Sequence, residues 1–428
     1  MENTATASAT SSCASMGMSR RSFLGLAGFA VVSLATAGLG LSAGSTGALA
    51  DDGTVKLGTI STNTGTSAAY GEGNMQGYQL AVKEINANGG ILGKQVELDS
   101  LDDKGDATEA SNAFNKLQGD SSVCAVLGPT ISATSAAVQP LADQDKMVCL
   151  LPVATADSIQ TGSYVFRACF KDSYQGQVAA QFAKNTLGAT KAAVLYSSGD
   201  AYSSGLHDAF VAEAKNVGLE VVSEQASSSM DDTEYSSQLG MIIASGADFL
   251  YAPYYFTSAG PYIIPQARQN GFTGPIMGGD GFDGIQNVMS GDPSQYNGVY
   301  YTNHFAPDDP SEAVQNYTKA FKAEYGDDQQ PNFLNTLAYD AVYMMKAAIE
   351  KAGSTDREAI HAAMTGMTFT GVSGTFTLDA SGSPVKDAVV LEYKDGQAVY
   401  NSTVKAAGSA SDGEAAGSAA GDSAKADK

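Results

Sequence analysis

Val123-Cys124-Ala125-Val126-Leu127 and Met147-Val148-Cys149-Leu150-Leu151 are two short runs free of charged and hydroxyl side chains, and between them lie a Ser/Thr-rich loop and a spacing that predicts a helix over 133–142. A strand that is apolar on both faces must be hidden from water on both, so strands of this kind joined through a helix predict a parallel sheet covered by helices on each side. The alternation extends outward. Upstream, polar/apolar alternation predicts a strand over 54–60, followed by a Ser/Thr/Asn/Gly loop ending at Tyr70. Met75, Tyr78, Val82 and Ile85 then fall at helical spacing over 74–88, and Asn88-Gly89-Gly90 ends that pattern with residues suited to a left-handed cap. A strand over 95–101 and a helix over 106–117 complete the first series.

A second series begins after Asp172, with helices over 177–187, 204–217, 233–244 and 261–270 and strands over 192–196, 219–224, 248–252, 275–278 and 298–302. Three helices follow, over 311–325, 332–351 and 355–365. A β-hairpin is expected to join 374–378 to 388–393 through a turn beginning Asp379-Ala380-Ser381-Gly382. The expected fold class is therefore α/β, with two doubly wound parallel-sheet lobes.

Ser19-Arg20-Arg21-Ser22-Phe23-Leu24, a diluted apolar run and Ala48-Leu49-Ala50 before Asp51 have the layout of an export signal of the twin-arginine type, removed near Ala50. Taking Arg20, Arg21 and Glu2 away with it turns 24 basic and 46 acidic residues into 22 and 45, a net charge of −23. Such a surface repels nucleic acid and anionic lipid, so neither is expected as a partner. Cys124, Cys149 and Cys169 remain, an odd number, and the first two lie inside apolar runs as buried small hydrophobes do. His207, His304 and His361 have no Cys or carboxylate at ligand spacing, so neither a metal nor another cofactor is expected. Residues 406–428 are almost all Ala, Gly, Ser, Asp, Glu and Lys, a composition that builds no apolar face and predicts a disordered tail.

In a doubly wound sheet the ligand crevice is lined by loops that follow strand C-termini, where helix N-termini attract anions. Ser132 and Thr134 stand in one such loop, Ala154-Thr155 in the next, and Asp280 inside Gly278-Gly279-Asp280-Gly281 after another predicted strand. Hydroxyls and backbone N–H groups suit a carboxylate, and an acid between glycines suits an ammonium. Ser132 and Thr155 equally suit helix caps, and Asp280 an Asp-Gly turn. Tyr70, Tyr202 and Tyr255 also follow predicted strands and are candidates for the walls of the pocket.

Further stretches carry a resemblance: Gly77-Tyr78-Gln79-Leu80-Ala81 through Ile85-Asn86-Ala87-Asn88-Gly89-Gly90-Ile91, Gly128-Pro129, Phe166-Arg167-Ala168-Cys169-Phe170-Lys171-Asp172 with Gln175-Gly176, Gln266-Ala267-Arg268, and the Asp280 segment. In these the chain resembles, over about residues 54–395, the leucine/isoleucine/valine-binding family of periplasmic binding proteins, the type I solute-binding components of branched-chain amino-acid transporters. The resemblance implies two lobes joined by three crossings, near 170–174, 301–306 and 368–375. One lobe would hold 54–171 and 304–370, the other 172–303 and 371–400. It implies binding residues at Tyr70, Ser132, Ala154, Thr155, Tyr202, Tyr255 and Asp280, with Ser132 and Thr155 on an α-carboxylate and Asp280 on an α-ammonium. It further implies an exported monomer, not an enzyme, that delivers an amino acid to the permease of an ABC importer. A different small solute, such as an amide, urea or an aromatic acid, and a ligand-sensing role are the competing readings. Three departures stand out. Leucine binders often carry Glu where Asp280 stands, Tyr254 and Phe256 compete with Tyr255, and Gly105 and Ile131 occupy the places of a cysteine pair found in some relatives.

Overall fold

The computed structural model describes residues 53–406. The expected signal segment (1–50) and all but the first residue of the expected disordered tail (406–428) lie outside the described residues.

Strands β1 (Val55–Ser61), β2 (Val96–Asp102), β3 (Val123–Leu127), β4 (Cys149–Leu151) and β5 (Val165–Arg167) form one sheet in the order β2-β1-β3-β4-β5, every pair parallel. All of β3 is buried, as its composition requires. Its side chains divide between two cores. Cys124 and Leu127 join Val148 and Leu150 under α1 (Ala68–Ala87), α10 (Phe333–Ala352) and α11 (Arg357–Met364). Val123 and Val126 join Cys149 and Leu151 under α2 (Ala107–Gly119) and α3 (Ser132–Asp145). Burial of each Val or Leu here contributes about 1.5–3 kcal/mol, so a strand apolar on both faces earns its place only between two helix layers. Phe114 of α2 is fully buried in the second core, and truncating it to Ala would cost about 3–5 kcal/mol.

The second sheet runs β15-β14-β10-β9-β8-β6-β7, from β6 (Lys191–Ser197), β7 (Glu220–Ser227), β8 (Phe249–Tyr251), β9 (Ile276–Gly278), β10 (Val299–Asn303), β14 (Ala388–Lys394) and β15 (Gln397–Val404). β7 through β10 pair in parallel, and β14 and β15 add an antiparallel edge. Helices α4 (Asp172–Gln181), α5 (Ala201–Val217), α6 (Ser236–Ala244), α7 (Phe256–Ser258) and α8 (Ile264–Gln269) belong to this half, and the core shared with its strands includes Val178, Leu206, Phe210, Leu239 and Ile264. α9 (Glu312–Tyr325) returns to the first half, packing Tyr317 and Phe321 near Leu80 of α1.

The expected hairpin is corrected. Gly374–Leu378 (β12) pairs with β11 (Thr368–Gly371) and β13 (Pro384–Val385), whereas β14 pairs with β10 and β15. The turn at Asp379 does reverse the chain, its carboxylate accepting the N–H groups of Ser381 and Ser383, but it delivers β13. The burial of β14 is the physical reason: residues 390–393 are all buried, which suits a strand held between two others in a large sheet and not one arm of a hairpin. Phe369, Phe376 and Leu378 of the small sheet pack into the first half's core. The chain therefore passes from the first half to the second at 386–387, and the third crossing expected at 368–375 moves there. The other passages lie between β5 and α4 and between β10 and α9.

β5 carries no predicted strand because it is three residues long and ends in Arg167. That arginine is fully buried, its guanidinium donating to the carbonyls of Ala154 (2.8 Å), Ala156 (2.6 Å) and Ile159 (2.9 Å). One side chain thus shapes the whole loop after β4.

Candidate ligand-binding cleft

Loops at the C-terminal ends of β3, β4, β8 and β9 and the first turns of α1 and α5 meet around a cavity lined by Tyr70, Thr130, Ile131, Ser132, Val153, Tyr202, Tyr255, Asp280, Gly281 and Phe333. Its free volume is about 10 Å3, room for about one water molecule. Of the seven candidate residues, Tyr70, Ser132, Tyr202, Tyr255 and Asp280 share this cavity.

Ala154 and Thr155 do not line it. The Ala154 carbonyl is taken by Arg167 and by the Cys169 thiol (3.3 Å), and that of Thr155 accepts the Asp172 N–H (3.0 Å), so Val153 faces the cavity instead. Thr134 also turns away, its hydroxyl donating to the Ile131 carbonyl (3.2 Å). Thr130, Ile131 and Val153 are immediate neighbours of residues singled out by sequence. Phe333 carried no local signal, since it arrives from the start of α10.

Ser132 is the first residue of α3, so the unpaired N–H groups of that helix's first turn and the positive end of its dipole meet the cavity here. Its hydroxyl oxygen accepts the Ala156 N–H (3.2 Å), which leaves its own proton to give. Behind it, Asn74 of α1 donates to the Thr130 hydroxyl (3.1 Å). Gly128, at φ 101°, brings the β3 loop against β1, and a Cβ there would fall 2.2 Å from the Ile60 carbonyl. Gly105 and Ile131, which stand in for the cysteine pair of some relatives, are neighbours: a Cβ on Gly105 would lie 3.8 Å from the Ile131 side chain.

The opposite end is acidic. The Asp280 carboxylate is 1% exposed; Oδ1 accepts from the Tyr202 hydroxyl (3.0 Å) and Oδ2 lies 2.9 Å from His304 Nε2. Its backbone N–H donates to Gln175 Oε1 (2.9 Å), and Gln175 also receives the Thr302 hydroxyl (2.7 Å). Tyr202 is aimed by the start of α5, where Asp200 accepts the Ser203 N–H, and its hydroxyl in turn accepts the Gly281 N–H (2.9 Å). That hydroxyl explains the flanking glycines, because a Cβ on Gly279 or Gly281 would fall 2.7 Å from it. Burial and the Asp280 charge hold Tyr70, Tyr202 and Tyr255 well above the usual phenol range, so all three stay neutral. Burial pushes His304 down to about 4 against the pull of Asp280, and pushes Asp283 up to about 6.

Tyr70 belongs to the first turn of α1 and is not the loop tip expected from the sequence. From the first half it reaches across the cleft, donating to the Gly281 carbonyl (2.9 Å) and accepting the Phe256 N–H (3.3 Å). Its ring stacks on Phe256 (5.0 Å between centroids) and tilts against Tyr255 (4.6 Å). Among the three rivals after β8, Tyr255 lines the cavity, Phe256 supports Tyr70, and Tyr254 bonds to the Ser227 hydroxyl (2.7 Å).

Residues 54–398 match the family model described as periplasmic binding protein. The chain is 32% identical over 318 residues to the Leu/Ile/Val-binding protein BraC3 of Rhizobium johnstonii, a match that covers 72% of this chain and 83% of that one. Among solved structures it is similar to the leucine-binding protein LivK of Thermotoga maritima, with a TM-score of 0.76 and 32% identity over 82% of this chain and 99% of that one. It is equally similar in fold to the branched-chain amino acid transporter substrate-binding protein LivJ of Streptococcus pneumoniae in complex with isoleucine, with a TM-score of 0.76, 29% identity and coverage of 83% and 99%. The chain belongs to the periplasmic binding protein family.

Proposed function

We propose that this protein captures a free amino acid of the branched-chain class outside the cytoplasm and hands it to the permease of an ABC importer, binding its guest without transforming it. The observation that carries the reading is the polarity of one small cavity. Ser132 and the first turn of α3 offer donors at one end, and the Asp280 carboxylate stands at the other. A zwitterion presents the complementary pair, and in a water-excluding cleft each charge-assisted contact is stronger than in water. Val153, Ile131, Tyr255 and Phe333 supply apolar wall for an aliphatic side chain. The relatives' names support the ligand class, and the Ser19–Leu24 arginine pair with Ala48-Leu49-Ala50 supports export through a removed signal.

A cavity of about 10 Å3 belongs to a closed arrangement. Admission of an amino acid requires the two halves to part, which breaks the Tyr70 bonds to Gly281 and Phe256, and closure over the guest replaces them with contacts to it. The guest drives closure only through its better affinity for the closed state. Micromolar binding needs about −8 kcal/mol, within reach of two charge-assisted ends and one buried aliphatic chain. The closed monomer then presents both halves to the permease.

Titration calorimetry of the purified protein against L-leucine, L-isoleucine, L-valine and 4-methylpentanoate tests the reading. Micromolar binding of the amino acids, and loss of that affinity for 4-methylpentanoate, which is leucine without its ammonium, is the expected result. Equal binding of the deaminated acid, or none of the amino acids, sinks it.

A further inference from the structure

Behind the Asp280 carboxylate lies an imidazole that capture as described does not use. His304 is the first residue after β10, its side chain is fully buried, and it is absent from the cavity wall. Its ring stacks on Phe170, from the passage between β5 and α4, at 3.7 Å and 23°, and lies nearly parallel to Phe333 of the cavity wall at 6.1 Å and 14°. Its backbone N–H donates to Asn303 Oδ1 (2.7 Å), whose amide donates to Asp283 Oδ2 (2.9 Å), which also accepts the Phe333 N–H (2.8 Å). Lys386, on the passage between β13 and β14, is the cation that acts on the same ring. One imidazole thus joins the acidic end of the cleft to two of the three connections between the halves, its own after β10 and that between β5 and α4.

The chemistry of the contact follows from the partners. A buried neutral imidazole carries one proton, and Nδ1 has no hydrogen-bond partner among the described residues, so the proton sits on Nε2 and is donated to Asp280 Oδ2. Tyr202 donates to Oδ1, and each carboxylate oxygen keeps a further lone pair for a ligand. Neither donor brings a charge, and Asp280 itself lines the cavity.

We propose that His304 is a positioning residue for ligand recognition: its Nε2–H fixes the Asp280 carboxylate toward the cavity, and its stacking on Phe170 and Phe333 ties that aim to hinge closure. Selection of an ammonium-bearing guest then belongs to the closed form. The inference rests on the amino-acid reading for the identity of the guest and on the geometry alone for the His304–Asp280 bond.

Four measurements test it. His304→Phe keeps a ring on Phe170 and removes the donor, and it should weaken L-leucine binding about 10- to 100-fold, the scale of one hydrogen bond to a charged group. His304→Gln offers an amide N–H near the place of Nε2 and should bring affinity back to within about 3-fold of the parent, a rescue that a role in packing alone would not give. In an Asp280→Asn background, followed by NMR titration to millimolar L-leucine, His304→Phe should cost less than about 3-fold, because the charge it serves is gone. An equal loss in both backgrounds, no loss at all, or failure of Gln to restore binding while thermal melting matches the parent overturns the proposal. The histidine 15N shifts supply a readout free of ligand and of the Phe variant: the His304 signal should report a protonated Nε2 that shifts in Asp280→Asn. Absence of that change overturns the proposal even if leucine binds. With the expected 15N result and no binding of leucine by the parent protein, it is the amino-acid reading that fails and the His304–Asp280 bond that stands.

Discussion

The two ends of the cavity are built in different ways. At the acidic end the key groups are held by several partners: Asp280 by Tyr202 and His304, its N–H by Gln175, and the Tyr202 oxygen by Gly281. Those partners come from α4, α5 and the residue after β10, far apart in the chain. At the hydroxyl end the donors come from one continuous turn at the start of α3, and Ser132 is fixed by a single bond from Ala156. Preorganised charge is expected to dominate selection, and local backbone donors to contribute a smaller, more replaceable share.

The sharpest way to break that comparison is Asp280→Asn, which keeps the side chain's volume and removes its charge. It should cost amino-acid binding roughly 2–5 kcal/mol, as loss of one member of a buried charge pair does. Calorimetry measures this directly, and an unchanged affinity would place the ammonium elsewhere.

Away from the cavity wall, Lys386 is a buried amine that donates to the Ser373 hydroxyl (3.1 Å) and is pushed down to about 8 by burial, with Asp340 pulling the other way. The sign follows from proton counting. Below pH 8 both states hold the proton; between about 8 and 10.5 the folded chain releases it while the unfolded chain keeps it, so this residue's contribution to stability rises with pH. The rise is on the order of 3 kcal/mol, at about 1.4 kcal/mol per unit of displacement. Lys386→Met should remove it. Denaturant melts of both proteins from pH 7 to 10.5 would show the difference between them narrowing steadily, and a constant gap would deny the amine its burial cost.

Ser132→Ala removes a donor from the hydroxyl end and strands the Ala156 N–H, for a loss of about 1–3 kcal/mol in binding. A larger loss here than at Asp280 would reverse the ranking of the two ends. The smallest effect is expected of Tyr70→Phe, which keeps the stack on Phe256 and deletes the hydroxyl that bridges the cleft. About 1 kcal/mol less support for the closed arrangement should appear as a larger radius of gyration by small-angle scattering, reversed by saturating ligand.

Much of this was legible in the chain itself. β3 and β4 declared themselves by being apolar on both faces, and the alternation with helices followed from them. Ser132 and Asp280 were found because they follow strand ends, where a doubly wound sheet puts its crevice. What escaped depends on contacts between distant residues. β5 is too short for periodicity, and its Arg167, which looks out of place in a strand, is what draws the Ala154–Thr155 loop back and turns Val153 to the cavity. β14 was paired with its neighbour in sequence because nothing local shows that β10 and β15 flank it. Phe333 and His304 reach the site from connections whose geometry only the assembled halves define.

The three cysteines among the described residues have a practical consequence. Cys124, Cys149 and Cys169 are unpaired and buried, and burial holds their thiols above the ordinary range, Cys124 at about 11 and Cys169 at about 12. A thiol must ionise and meet solvent to be alkylated, so in the native protein all three are silent. Cys149 lies in the interior of a sheet, whereas Cys169 sits in the connection between β5 and α4. Reaction of Cys169 ahead of Cys149 with a pulse of iodoacetamide would time the flexing of the connection separately from unravelling of the sheet, giving the protein an internal clock for both events without any added label site.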